Sequence, residues 1–127
     1  MILGIGCDIV DSGRIQKLYE KTGEEFLSRI LSSAERERFN EFEANSKQQI
    51  SYLAKRFAAK EAVSKALGIG IGKLSFCDVS IINNDQGAPI AVLPETFSAF
   101  GGAKFKIDIS ISDEWPMALA FVVVSGV

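Results

Sequence analysis

No histidine occurs anywhere in the 127 residues. That absence removes Ser-His-Asp and Cys-His nucleophilic catalysis, histidine-ligated zinc and an imidazole proton shuttle. Acid–base chemistry is left to carboxylates, lysines or bound water. Cysteine is scarce too: Cys7 and Cys77 stand alone, match no metal-ligand spacing and are expected to be free, buried, structural thiols. No apolar run reaches the roughly 18 residues that a membrane span needs. The opening Met1-Ile2-Leu3-Gly4 lacks the basic stretch of a secretory signal, so the expectation is a cytoplasmic protein with no membrane contact. A strong excess of either charge is absent as well. Fourteen Lys and Arg against sixteen Asp and Glu give a net charge of −2, and nothing global favours nucleic acid.

With 47% hydrophobic and 24% charged residues, the chain has the composition of one ordinary globular domain. Ile2 to Val10 reads as a strand, with Leu3, Ile5, Cys7 and Ile9 on one face and Gly4, Gly6 and Asp8 on the other. Glycines beside Asp8 leave room for another backbone or a ligand to come close. Asp11 or Ser12 can cap a short helix over Gly13 to Lys21. Ser32 and Glu35 have the spacing of a capping box for a second helix, through about Phe42. The polar stretch from Glu43 to Gln49 reads as a loop, and the principal helix runs from about Gln48 to Leu67.

Beyond Gly72 the period changes. Asp78 to Asn83 and Pro89 to Leu93 read as strands around an Asn84-Asp85-Gln86-Gly87 turn, and Pro94 to Phe100 as a short helix. Phe105, Ile107, Ile109 and Ile111 alternate with polar residues in a half-buried strand. A turn at Asp113 to Pro116 precedes a nearly continuous apolar strand, Met117 to Val124, expected to be central. Helices first and strands second give an α+β fold, a mostly antiparallel sheet packed against a long central helix, in a single domain.

The chemistry concentrates in Arg56 to Gly72, RFAAKEAVSKALGIGIG. At 100° per residue, Glu61 falls within the inward arc formed by Leu53, Ala54, Phe57 and Ala58. A carboxylate facing a packed surface is costly unless paired or bound to metal. Lys65, one turn on, or a divalent cation would satisfy it. Gly68, Gly70 and Gly72 let backbone N–H groups approach a ligand, or simply stop the helix. The loop is neither a P-loop, since Gly72-Lys73 is followed by Leu74, nor a dinucleotide fingerprint, since it follows a helix.

Asp8 at a strand's end and Glu61 on a helix form a pair able to hold Mg²⁺, which takes one or two carboxylates and fills its remaining positions with water and phosphate oxygens. Taken singly, Asp8 also suits a turn or cap, and Glu61 a salt bridge to Lys65 or Arg56. Arg14, Lys17 and Lys21 make a basic stripe three and four residues apart, which matters only if a partner is acidic.

The blocks Gly4-Ile5-Gly6-Cys7-Asp8-Ile9-Val10 with Arg14, Phe57-Ala58-Ala59-Lys60-Glu61-Ala62, Lys65-Ala66-Leu67-Gly68 and Gly70-Ile71-Gly72 resemble the holo-[acyl-carrier-protein] synthases. These are the small class of the 4′-phosphopantetheinyl transferases. Gly87-x-Pro89, Ser110-Ile111-Ser112 and Ala118-x-Ala120 also fit, so the likeness spans the chain. The resemblance implies a transferase of fatty acid biosynthesis that moves the 4′-phosphopantetheine arm of coenzyme A to a serine of apo acyl carrier protein, releasing adenosine 3′,5′-bisphosphate. It implies Asp8 and Glu61 as Mg²⁺ ligands and a homotrimer with coenzyme A between protomers.

On that reading Lys65 meets a phosphate and Ser64 with the Gly68 to Gly72 backbone adds donors. Lys47 and Arg56 are candidates for the adenosine 3′-phosphate, and Arg14, Lys17 and Lys21 for docking the acidic carrier protein. Many relatives have histidine where this chain has Asp113, which is left out of the catalytic set. The rival readings are a non-catalytic trimeric module holding coenzyme A or a nucleotide, and an Mg²⁺-dependent nucleotide kinase, which the failed P-loop disfavours.

Overall fold

The computed structural model describes residues 1–69 and 74–127. Gly70 and Gly72 of the sequence reading therefore lie outside the described residues. Strand β1 (Ile2–Asp11) leads into helices α1 (Ser12–Thr22), α2 (Glu24–Ile30), α3 (Ser33–Glu41) and α4 (Lys47–Leu67). The hairpin β2 (Ser80–Asn83) and β3 (Pro89–Val92) follows, then β4 (Phe105–Glu114) and β5 (Met117–Gly126). β1, β5 and β4 form an antiparallel sheet in that order, with β5 central as its apolar sequence predicts, and β2–β3 stands as a separate two-stranded sheet. The α+β expectation holds. No helix among the described residues is long and apolar enough to cross a membrane.

The caps explain where helices begin. Asp11 accepts from the Gly13 N–H at 2.7 Å and starts α1; Ser46 accepts from Gln49 N–H at 3.1 Å and starts α4. Ser32 and Glu35 form the predicted capping box of α3. At the far end of α4, Gly68 adopts a left-handed conformation (φ 66°), and its N–H donates to the Lys65 carbonyl.

Two expectations fail and one helix goes unread. Pro94 to Phe100 is not a helix: a turn closed from Phe97 N–H to the Pro94 carbonyl leads to a 3₁₀ turn at Phe100–Gly102, with Gly101 at φ 68° inside it. Glu24–Ile30 is a helix that the sequence reading passes over; at seven residues it is too short to show a clear period. The cysteines are not both buried, since Cys7 is exposed and Cys77 only partly covered. Cys7 lies on the open face of the sheet, opposite the side that α4 covers.

That open face is itself a finding. α4 packs on the glycine side of β1 and on Ala118, Ala120, Val122 and Val124 of β5. Its own contribution is small: Ala54, Ala58, Ala59, Ala62 and Ala66 are buried, with Leu53, Val63 and Leu67 between them. Small residues on both sides bring helix and strand close together. A Cβ added at Gly6 would sit 1.9 Å from the Ala62 carbonyl oxygen, and one at Gly4 would sit 1.8 Å from that of Ala66. The room predicted beside Asp8 is thus filled by the backbone of α4. The apolar side of β1 is left in solvent, with Ile5 61% and Ile9 60% exposed beside Leu119 and Phe121 of β5.

Candidate active site

The glycine seam sets the geometry. β1 runs antiparallel to α4, so Gly4 and Gly6 meet Ala66 and Ala62, and Asp8 continues on the same face toward Glu61. Lys65 reaches back across the seam: its Nζ donates to the Cys7 carbonyl at 2.9 Å and lies 3.2 Å from Asp8 Oδ1. Asp8 is half-buried while Lys65 stays largely exposed. Partial burial raises the Glu61 pKa above its ordinary value, and the neighbouring Asp8 charge raises it further. Lys65 and Arg14 pull the other way. Two carboxylates, remote in sequence, therefore share one electrostatic environment with two cations.

Lys65 pairs with Asp8 and Arg56 with Asn83, so neither makes the salt bridge to Glu61 considered from sequence. The carboxylate pair suits a small hard cation, which would relieve the repulsion that lifts Glu61. Among the described residues no cluster of three or more His, Cys, Asp or Glu stands ready as an all-protein cage. A two-carboxylate donor set fits Mg²⁺, which keeps water and phosphate oxygens in its shell. Ser64 is half-buried beside Lys65, and Gly68 is exposed at the helix end.

Lys47 and Arg56 lie elsewhere. They line a cavity of about 650 Å³ at the N-terminal half of α4, together with Tyr52, Asn83, Asp113 and Trp115. Arg56 is 6% exposed, donates to Asn83 Oδ1 at 3.2 Å and lies 4.6 Å over the Tyr52 ring, while its Nε has no partner. Asp113 faces cations and donors: Ser51 donates to its Oδ2 at 3.0 Å, and Lys55 Nζ lies 3.7 Å from it. The charge of an acid at this position is thereby offset locally. Arg14, Lys17 and Lys21 are exposed around a shallow depression on α1. The predicted site residues thus form three groups on one chain.

One buried cluster was missed. Lys60 Nζ has no exposed surface and donates to the Glu35 carboxylate, the Ile30 carbonyl and, at 2.8 Å, the Phe76 carbonyl. Glu35 also accepts from Ser32 N–H at 2.9 Å and Ile81 N–H at 2.8 Å. The pair ties α2, α3, α4, the Phe76 turn and β2 together immediately beside Glu61.

A family model described as the 4′-phosphopantetheinyl transferase superfamily matches residues 4–120. The chain belongs to that superfamily. It is 41% identical over 140 aligned residues to the holo-[acyl-carrier-protein] synthase of Bradyrhizobium diazoefficiens, covering 100% of this chain and 96% of that protein. The enzyme of the same name from Orientia tsutsugamushi is 42% identical over 131 residues, with 99% and 98% covered. Among solved structures, a Bacillus anthracis holo-(acyl-carrier-protein) synthase in complex with CoA (3′,5′-ADP) superposes with TM-score 0.84 at 38% identity, covering 100% of this chain and 99% of that one. The Helicobacter pylori synthase in complex with coenzyme A gives 0.81 at 38% identity, covering 95% and 99%.

Proposed function

We infer that this chain transfers the 4′-phosphopantetheine group from coenzyme A to a serine hydroxyl of apo acyl carrier protein, releasing adenosine 3′,5′-bisphosphate. The observation that carries it is the charge cluster at the seam, where Asp8, Glu61, Lys65 and Arg14 meet in a chain alike from end to end to holo-[acyl-carrier-protein] synthases. Asp8 and Glu61 would hold Mg²⁺, which when bound neutralises pyrophosphate and the charge building on the leaving bisphosphate. Lys65 is positioned to leave Asp8 for a phosphate oxygen, with Ser64 and the Gly68 backbone as further donors. The proton of the attacking serine would pass to a metal-associated water or to a carboxylate such as Glu61.

Lys47 and Arg56 serve the adenosine 3′-phosphate in this reading. They stand on the half of α4 away from Lys65, which is 18 residues or about 27 Å from Lys47 along the helix. The uncovered apolar face of β1 and β5 supports a homotrimer that joins one protomer's cavity to its neighbour's seam. Arg14, Lys17 and Lys21 form the docking surface for the acidic carrier protein, raising its association rate. The reaction belongs to the cytoplasm and to fatty acid biosynthesis.

Mass spectrometry of apo acyl carrier protein, incubated with coenzyme A and Mg²⁺, tests the reading. It expects the added phosphopantetheine mass, and its loss when Mg²⁺ is chelated. Coenzyme A binding with no modified carrier protein would instead favour the non-catalytic module.

A further inference from the structure

The cavity on the first half of α4 holds more than two cations. Its basic residues differ in what they already hold. Arg38 is paired with Glu41 and Lys55 faces Asp113, but Lys47 and Arg56 pair with no carboxylate among the described residues. Its aromatic residues differ in the same way. Tyr52 is packed against Phe42, with ring centroids 5.4 Å apart, and Arg56 covers its face. Trp115 sits at the tip of the β4–β5 hairpin, 41% exposed, and no aromatic ring among the described residues packs on it. Only the Lys47 ammonium occupies its face, 5.1 Å from the ring. The indole's face meets only that ammonium, beside Arg56, which has no carboxylate partner and whose buried Nε is without a hydrogen bond.

Cations without a carboxylate partner call for an anion, and a half-exposed indole calls for a flat, polarisable group. A purine nucleotide carries both. We propose that Trp115 is a substrate-contacting residue whose indole stacks on the purine base of coenzyme A's nucleotide half. Lys47 then leaves the ring for the nucleotide's phosphate, which it shares with Arg56. Bringing the base in exchanges one cation–π contact for a stack of larger area. The proposal rests on the transferase reading for the identity of its ligand, but not for the stacking itself.

Trp115 is the one tryptophan of the chain, so its emission reports this position alone. Adenosine 3′,5′-bisphosphate is expected to quench it saturably. Inorganic phosphate and 4′-phosphopantetheine, which carry no base, are expected to leave it nearly unchanged. In the transfer assay, Trp115→Leu keeps an apolar side chain without a π face. It should raise the KM for coenzyme A by on the order of tenfold, at the low end of what loss of a base–aromatic stack costs, with kcat little altered. Trp115→Phe should stay within about twofold of the parent. Emission indifferent to the bisphosphate, equal quenching by inorganic phosphate, or equal KM for the Leu and Phe variants would overturn the proposal. Base-dependent quenching in a protein that never modifies carrier protein would uphold the stack and sink only the transfer reaction.

Discussion

Lys60 and Lys65 are five residues apart on one helix, each beside a carboxylate, yet the protein uses them in opposite ways. Lys60 has no exposed surface, and its three donors meet three acceptors from three different segments. Burial pulls its pKa down while Glu35 pulls it back up, so pairing is what makes an ammonium tolerable there. Lys65 is more than half exposed and holds Asp8 loosely at 3.2 Å. The first lysine fixes where α4 sits; the second stands where it can exchange its partner for a ligand. Solvent decides between them, because water compensates a released Lys65 and cannot reach a released Lys60.

The sharpest way to break this contrast is Lys60→Met. Removing one member of a buried pair strands Glu35 as an uncompensated charge, a loss of about 3–5 kcal/mol in chemical denaturation. The double variant Lys60→Met with Glu35→Gln should recover at least half of that. The neutral amide's one oxygen can still accept from either Ser32 or Ile81, and no charge is left alone. A Lys60→Met protein of parental stability would show the cluster to be incidental.

Next in size is Gly6→Ala. A Cβ 1.9 Å from the Ala62 carbonyl cannot be absorbed by a rotamer change, because the obstacle is helix backbone. Forcing α4 away from β1 should cost about 3 kcal/mol and separate Lys65 from the Cys7 carbonyl. Transfer activity should therefore fall further than the folded fraction does. Activity that merely tracks the folded population would mean that the seam does not position the charges.

Much of this was legible in the sequence because it rests on local rules. The capping box at Ser32, the αL stop at Gly68 and the apolar run of β5 each follow from a few adjacent residues. That Asp8 and Glu61 are neighbours was legible too, from one carboxylate at a strand's end and another on a helix's inward face. Lys60 shows where such reading stops. It lies seven positions from Leu53, about 20° away on the helical wheel, so the signal for burial was present. Its partner Glu35 already had a sufficient role as a helix cap, and nothing local announced a second. Cys7 was misjudged for a related reason: an alternating strand shows that two faces differ, but not which one the helix covers. The cavity around Trp115 draws on α3, α4, β2 and the β4–β5 hairpin, a juxtaposition no single segment encodes.

Lys65→Met tests the other half of the contrast. An exposed pair contributes about 0.2–1 kcal/mol, so denaturation midpoints should move little, while kcat/KM for coenzyme A falls by at least roughly tenfold if a charged contact to phosphate is lost. Equal small effects on both would make Lys65 a surface residue and nothing more.

The subtlest expectation concerns Glu61→Gln in metal-free buffer. Burial and Asp8 place the Glu61 pKa above its unfolded value, so the folded state binds this proton more readily than the unfolded chain does. The ionised group therefore works against folding above the raised pKa, and that handicap disappears as pH falls below the ordinary carboxylate value. The substituted amide carries no such charge. The variant should melt at a higher temperature than the parent at pH 7, and the gap should close on acidification through that window. Parent and variant melting curves recorded at several pH values, with a chelator present, check the sign. A variant less stable than the parent at neutral pH would mean that Lys65 and Arg14 outweigh Asp8 at this carboxylate, and that the seam holds a balanced ion cluster with no excess negative charge for a cation to relieve.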